Sequence, residues 1–298
     1  MRKRFKSEVD DRLDKVINRN VPRSRSKIQD WIREGRIRVE DDIVTSKSHP
    51  VKSGQQLELD VPEDKLRKSK IKPEPGELDV IHEDSSLLVL NKSAGIVVHP
   101  APGNQTGTLA NHLLHHYPDL SSVTDPYRAG LVHRLDRGTS GVILVARSPQ
   151  AYQHLKQQFQ NRTVKKQYRA ILTGKLEDES LQIEVPIGKH PTNPSLRKAQ
   201  STGRYAETYV EVDTCTDEAS TVYCWPKTGR THQIRVHSLY INHPVVGDEQ
   251  YGGKQASRMM LHAESIQFDH PETEQEVEFQ ASLPLEVEET WNDISRFA

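Results

Sequence analysis

Apolar positions recur along this chain with two different periods, and the switches between them mark its elements. Between Asp11 and Arg19, Leu13, Val16 and Ile17 fall on one helical face among charged residues. Pro22 ends that helix, Ser24 is placed to cap a second, and Ile28, Trp31 and Ile32 repeat within it at helical spacing. Gly35 stands just past its end, the usual place for a residue in the left-handed conformation. The period then drops to two. Ile37 and Val39 alternate with Arg36 and Arg38, and Leu57, Leu59 and Val61 alternate after Gly54, which predicts short strands. Residues 1–62 thus read as one small helix-and-strand unit. Residues 63–77 are charged, close with two prolines and a glycine, and read as a linker.

From residue 78 to 298, short apolar runs alternate with turns and a few helices. Val80-Ile81, residues 87–90, 141–146, 164–172 and 206–212 read as strands, and residues 108–114 as a helix. Phe268, Val277 and Phe279 have strand-like spacing and place the acidic C-terminal stretch in the fold, away from any site. The class is α+β, with a mainly antiparallel mixed sheet and flanking helices. Regular strand–helix alternation and a Gly-rich phosphate loop, the marks of a doubly wound nucleotide fold, are both missing.

Composition narrows the function. Of 298 residues, 28% are charged and 34% hydrophobic, as in a globular protein with a wet surface. No apolar run approaches the roughly 20 residues that span a bilayer. The opening Met1-Arg2-Lys3-Arg4-Phe5-Lys6 leads into no apolar core, so a secretory signal is not expected and a cytoplasmic location is. Cys215 and Cys224 have no metal-binding spacing and are expected to be reduced. The 14 histidines are dispersed, and no metal site is expected. The net charge of −1 hides an asymmetry: residues 1–72 carry a balance of +7 and residues 264–298 one of −9. A basic head suits a polyanion.

The most informative stretch is His133-Arg134-Leu135-Asp136-Arg137-Gly138-Thr139-Ser140-Gly141, which runs into Val142-Ile143-Leu144-Val145. It sets a carboxylate between two arginines, in a turn held by the strand behind it. Such an acid stays ionised and rigid, as a nucleophile requires. Taken alone, the segment also fits the commoner role of Asp as a turn former.

His-Arg-Leu-Asp-x-x-Thr-Ser-Gly resembles the signature of the RluA-type pseudouridine synthases, in which that Asp is the essential residue. Four segments extend the resemblance over residues 78–284: Asn91 to Pro100, the Asp136 loop, Lys166-Gln167-Tyr168-Arg169-Ala170, and Lys227-Thr228-Gly229-Arg230-Thr231-His232-Gln233-Ile234-Arg235-Val236-His237. His243 to Asp248 and Leu261-His262-Ala263 follow in the family's order, while Ser93 stands where members commonly have Pro. The head resembles the S4 RNA-binding domain, through Ser24-Arg25-Ser26-Lys27-Ile28, Glu34 to Val39 and Val51 to Leu57. An S4-like head on such a catalytic domain is similar to the enzymes that modify large-subunit ribosomal RNA.

The resemblance implies isomerisation of uridine to pseudouridine with no cofactor. It assigns Asp136 as nucleophile or as the group assisting departure of the base, Arg235 as its cationic partner, and Tyr168 as the aromatic against a flipped-out base. Leu261 would line the apolar side of that pocket, and Arg134 would fill the gap left in the RNA. Arg23, Arg25, Lys27 and Arg33 would contact RNA from the S4-like head. Expected partners are ribosomal RNA, free or in an assembling large subunit, with no membrane and no nucleotide cofactor. Two other readings stay open at this point: a non-catalytic RNA-binding or assembly protein, which has no need of Asp136, Tyr168 and Arg235 together, and an Asp-nucleophile phosphohydrolase, which needs a second acid and magnesium.

Overall fold

The two helices expected near the N-terminus are present, and they bury the faces that their spacing marked. The computed structural model describes residues 2–21, 25–60, 71–101, 103–124 and 128–297; the expected roles of Pro22, Arg23, Ser24 and Val61, and residues 63–70 of the expected linker, lie outside them. The chain divides into two compact units, residues 1–69 and 70–298.

In the first unit, β1 (Arg2–Lys6) and β2 (Asp11–Arg12) precede α1 (Leu13–Asn20) and α2 (Arg25–Arg33), and β3 (Ile37–Val39), β4 (Asp42–Ile43), β5 (Pro50–Val51) and β6 (Gln56–Asp60) follow. Leu13, Ile17, Ile28, Ile32, Ile37, Leu57 and Leu59 are fully buried in its core. At the end of α2, Gly35 takes φ +69° while its N–H and that of Arg36 donate to the carbonyls of Ile32 and Trp31. A four-stranded sheet in the order β1-β6-β3-β4 packs against the helices, and β2 pairs with β5.

The second unit is built on a sheet of β7 (Val80–Glu83), β8 (Leu87–Lys92), β9 (Ser140–Ala146), β10 (Lys165–Thr173), β11 (Ser180–Glu184), β14 (Glu207–Cys215), β15 (Ala219–Pro226) and β16 (Leu261–Asp269). Their order is β11-β14-β15-β10-β16-β9-β8-β7, and β17 (Glu276–Gln280) joins β16. A separate hairpin pairs β12 (Ile187–Lys189) with β13 (Arg197–Ala199). The main-sheet pairings are antiparallel except β9 with β16, which run parallel. Flanking helices are α3 (Leu109–His116), α4 (Leu120–Val123), α5 (Pro149–Asn161), α6 (Gln233–Tyr240) and α7 (Leu285–Phe297).

Boundaries shift for local reasons. Thr108 is not the first helical residue of α3 but its cap, accepting from the Asn111 N–H while the Asn111 side chain accepts from the Thr108 N–H. Helices α5 and α7 were not foreseen, although Ser148-Pro149 is a cap followed by a first-turn proline and Val287 and Trp291 stand four apart on a buried face. Residues 71–77, read as linker, are tied to α3: the Asn111 side chain donates to the Lys72 carbonyl, and the Glu74 N–H to the Asn111 carbonyl. Both cysteines are free thiols.

Candidate active site

The parallel pairing of β9 with β16 sets the geometry of the site. It aligns Ser140 with His262 and Gly141 with Ala263, so the loop entering β9 and the first residue of β16 emerge side by side. Only glycine fits at position 141: φ is +114°, and a Cβ there would lie 2.1 Å from the Ala263 carbonyl oxygen. A buried polar cluster fastens the same junction. The Ser140 hydroxyl meets His262 Nδ1 at 2.7 Å and accepts from Arg258 Nη2 at 2.7 Å. Burial pushes the His262 imidazole down to about 4.

The Asp136 loop is clamped from the other side by residues 92–96. Gly95 N–H donates to the Arg137 carbonyl at 2.7 Å, and Arg137 Nε returns a bond to the Gly95 carbonyl at 3.0 Å. Lys92, buried at the end of β8, donates to the carbonyls of Ser93, Ile96 and Arg137. Burial, with the charge of Arg258, lowers its amine to about 7, against the opposing pull of Asp136. These contacts fix the backbone just after Asp136, whose own side chain is 16% exposed.

Arg235 enters from α6. That helix begins at Gln233, with His232 held in the left-handed conformation (φ 58°) as its N-cap. The Gln233 side chain organises the turn before it, accepting from Thr228 Oγ1 and the Arg230 N–H and donating to the Glu207 carbonyl and Thr208 Oγ1. Arg235 is buried, and its guanidinium is shared. Nε and Nη2 donate to Asp248 at 2.6 and 2.9 Å, Nη2 also to Gln250 Oε1 at 2.8 Å, and Nη1 to Asp136 Oδ2 at 3.3 Å. The Tyr251 ring lies beneath it, 4.7 Å from its centre. Burial alone would lower the Arg235 pKa; Asp248 first and Asp136 second reverse this, and the net shift is upward.

His232 Nε2 stands 3.9 Å from Asp136 Oδ1, and its Nδ1 is 2.8 Å from the Tyr251 hydroxyl. Burial lowers this imidazole to about 4, so it is neutral at physiological pH. Tyr168 lies on β10, opposite Ala263 of β16 and Cys224 of β15. Burial and then the Asp136 charge raise its phenol well above the usual range, which makes it a neutral hydroxyl.

A cleft of about 530 Å³ opens at this point, and Arg134, Asp136, Tyr168, Arg235 and Leu261 all line it. Arg134 is exposed there and Leu261 buried. The head residues belong to the first unit and are described within it. Arg25 donates to the buried Asp14 carboxylate, Arg33 pairs with Asp30, and Lys27 is exposed; Arg23 lies outside the described residues. Sequence reasoning missed Lys92, His232, Asp248, Gln250 and Tyr251. Lys92, two residues past the run Leu87 to Leu90, carries no sign of the carbonyls it reaches, and the turn carrying Asp248, Gln250 and Tyr251 has no periodicity to read. Among the described residues no group of three or more His, Cys, Asp or Glu is placed to hold a metal, and no helix is long and apolar enough to cross a membrane.

The chain matches the family model for RNA pseudouridylate synthase over residues 86–240 and that for the S4 domain over residues 11–57. It is 37% identical to "Uncharacterized RNA pseudouridine synthase YlyB" of Bacillus subtilis, covering 94% of this chain and 92% of that relative. It is 40% identical to "Ribosomal large subunit pseudouridine synthase D" of Neisseria meningitidis, covering 93% of this chain and 76% of the relative. Among solved structures, "Human RNA Pseudouridylate Synthase Domain Containing 1" matches with a TM-score of 0.57 and 30% identity, over 71% of this chain and 86% of the other.

Proposed function

The chain belongs to the RNA pseudouridylate synthase family and acts on RNA as a pseudouridine synthase with an S4 RNA-binding domain, and from that premise we propose that it converts uridines of large-subunit ribosomal RNA, in the cytoplasm, with Asp136 as nucleophile on a flipped-out uridine. The relatives named for the large ribosomal subunit support that choice of RNA. The observation that carries the mechanism is the division of labour around one carboxylate. Arg235, anchored by Asp248, engages Oδ2, while Oδ1 accepts no hydrogen bond among the described residues and shares the cleft with Tyr168 and Leu261.

In the reaction the N1–C1′ bond breaks, the uracil turns, and a C5–C1′ bond forms. C5 gives up a proton and N1 gains one, so the atoms balance and no oxidant or donor is required. Asp136 Oδ1 attacks the sugar, or stabilises its departing base, while the Arg235 guanidinium keeps the other oxygen still. Tyr168 stacks on the base, and its hydroxyl, protonated at working pH, serves the proton exchange. Leu261 supplies the apolar wall. Extrusion of the nucleotide costs a few kcal/mol of stacking, which Arg134 offsets by occupying the vacated space. In the head, Lys27 meets the RNA backbone, with Arg25 and Arg33 contributing less because Asp14 and Asp30 already engage them.

The test is to incubate the protein separately with unmodified large-subunit and small-subunit ribosomal transcripts and map pseudouridines chemically. New sites confined to the large-subunit RNA are expected. Modification of the small-subunit RNA alone would overturn the choice of substrate, and no modification of either would overturn the reading.

A further inference from the structure

Beyond Asp136, the cleft carries a charge arrangement that the reaction itself does not use. Three guanidinium groups from three separate elements converge on one side of it. Arg162 closes α5 in the left-handed conformation (φ 63°). Arg204 is held by paired backbone bonds between itself and Ile187, each 2.9 Å. Arg230 is half-buried, fixed by its N–H on Gln233 Oε1 at 3.0 Å and its Nε on the Tyr205 carbonyl at 2.8 Å. All three line the cleft that holds Asp136. Among the described residues, none of the three forms an ion pair, whereas the adjacent Lys227 is paired with Glu207. Besides burial, the charges of Arg204 and Arg162 both lower the Arg230 pKa.

Like charges brought together without carboxylates raise the free energy of the empty protein and create a field for an anion. Guanidinium forks match phosphate oxygens better than ammonium groups do. Resting on the RNA reading above, we propose that Arg162, Arg204 and Arg230 form a phosphate subsite that grips the single-stranded RNA backbone next to the reacting nucleotide. Backbone bonds hold Arg230 and the chain at Arg204 in place before RNA arrives, so the strand meets a preformed grip. The subsite carries no base information: it holds the strand while the Asp136 pocket receives the base.

The experiment measures equilibrium binding of an end-labelled oligouridylate at several KCl concentrations, for the full chain and for R162Q, R204Q and the double variant. Both side chains are exposed, so melting curves are expected to overlay. Each lost phosphate contact lowers the slope of log K against log salt by about 0.7 on a single strand, so the double variant is expected to lose roughly 1.4. Affinity at low salt should fall on the order of 10- to 100-fold. K175Q, on an exposed lysine elsewhere, is expected to bind as wild type. An unchanged slope and affinity in the double variant overturns the subsite. Displacement of the strand by inorganic phosphate as effectively as by unlabelled strand also overturns it, because the site would then be for a free anion. If wild-type protein forms no pseudouridine in any transcript, the enzymatic reading fails instead, and the binding slopes still decide the subsite.

Discussion

Replacing Asp248 with Asn removes the anchor of Arg235 while keeping its shape. The side chains of both partners are nearly sealed, 6% exposed for Arg235 and 2% for Asp248. In the D248N variant one oxygen still accepts a bond, but the new amide turns a donor toward a donor. Losing a charge-assisted bond costs about 1.5–3 kcal/mol, and breaking a buried pair outright about 3–5, so roughly 3 kcal/mol is expected. For a unit of this size that is a fall in Tm of about 6–12 °C. The freed guanidinium is then expected to close on Asp136 and capture Oδ1, the oxygen proposed to meet the substrate. A displacement of this kind costs on the order of 100-fold in rate. Urea unfolding measures the first effect, as a shifted midpoint with unchanged slope, and single-turnover pseudouridine formation at saturating RNA measures the second. Wild-type stability together with a wild-type rate would show that Asp248 does not position Arg235.

Three further outcomes follow from the same geometry. Gly141→Ala should cost several kcal/mol, because its Cβ would meet the Ala263 carbonyl and part β9 from β16; a melting curve checks this, and a wild-type Tm would contradict it. Stability should fall on acidification. His232 and His262 take up protons near pH 4 when folded but near 6.5 when unfolded, so the unfolded chain binds more protons between those values and stability falls as pH drops through that window. Each contributes about 1.4 kcal/mol per pH unit, and His262→Gln should flatten a plot of urea midpoints against pH by its share. Tyr168→Phe should leave RNA binding intact and slow the chemical step by about 10²–10⁴-fold; a wild-type rate would reduce Tyr168 to a stacking surface.

How far the sequence disclosed this depends on whether an element is half-exposed. Helices α1 and α2 each bury one stripe and solvate the other, so Leu13, Val16 and Ile17, then Ile28, Trp31 and Ile32, stood out. Helix α6 is buried from Gln233 to Ser238 with polar residues on every side, each needing its own partner, and period alone does not mark such a helix. The loop of Asp136 was legible as a motif. The residues that hold it were not: Lys92 acts through backbone carbonyls, Asp248 and Gln250 reach Arg235 from a short turn, and His232 depends on a strained backbone conformation visible only in three dimensions. The cleft is assembled from the loop before β9, from β10 and β16 and from α6, distant segments that the parallel pairing of β9 with β16 helps bring together and that a linear reading does not reveal.

The most direct measurement is the single-turnover rate of Asp136→Asn on large-subunit ribosomal transcript, with complex formation verified in the same tube. The account predicts bound RNA, an unaltered fold and no pseudouridine above background. Pseudouridine formed by that variant at the wild-type rate would contradict it, because the carboxylate at position 136 would then not be the reacting group.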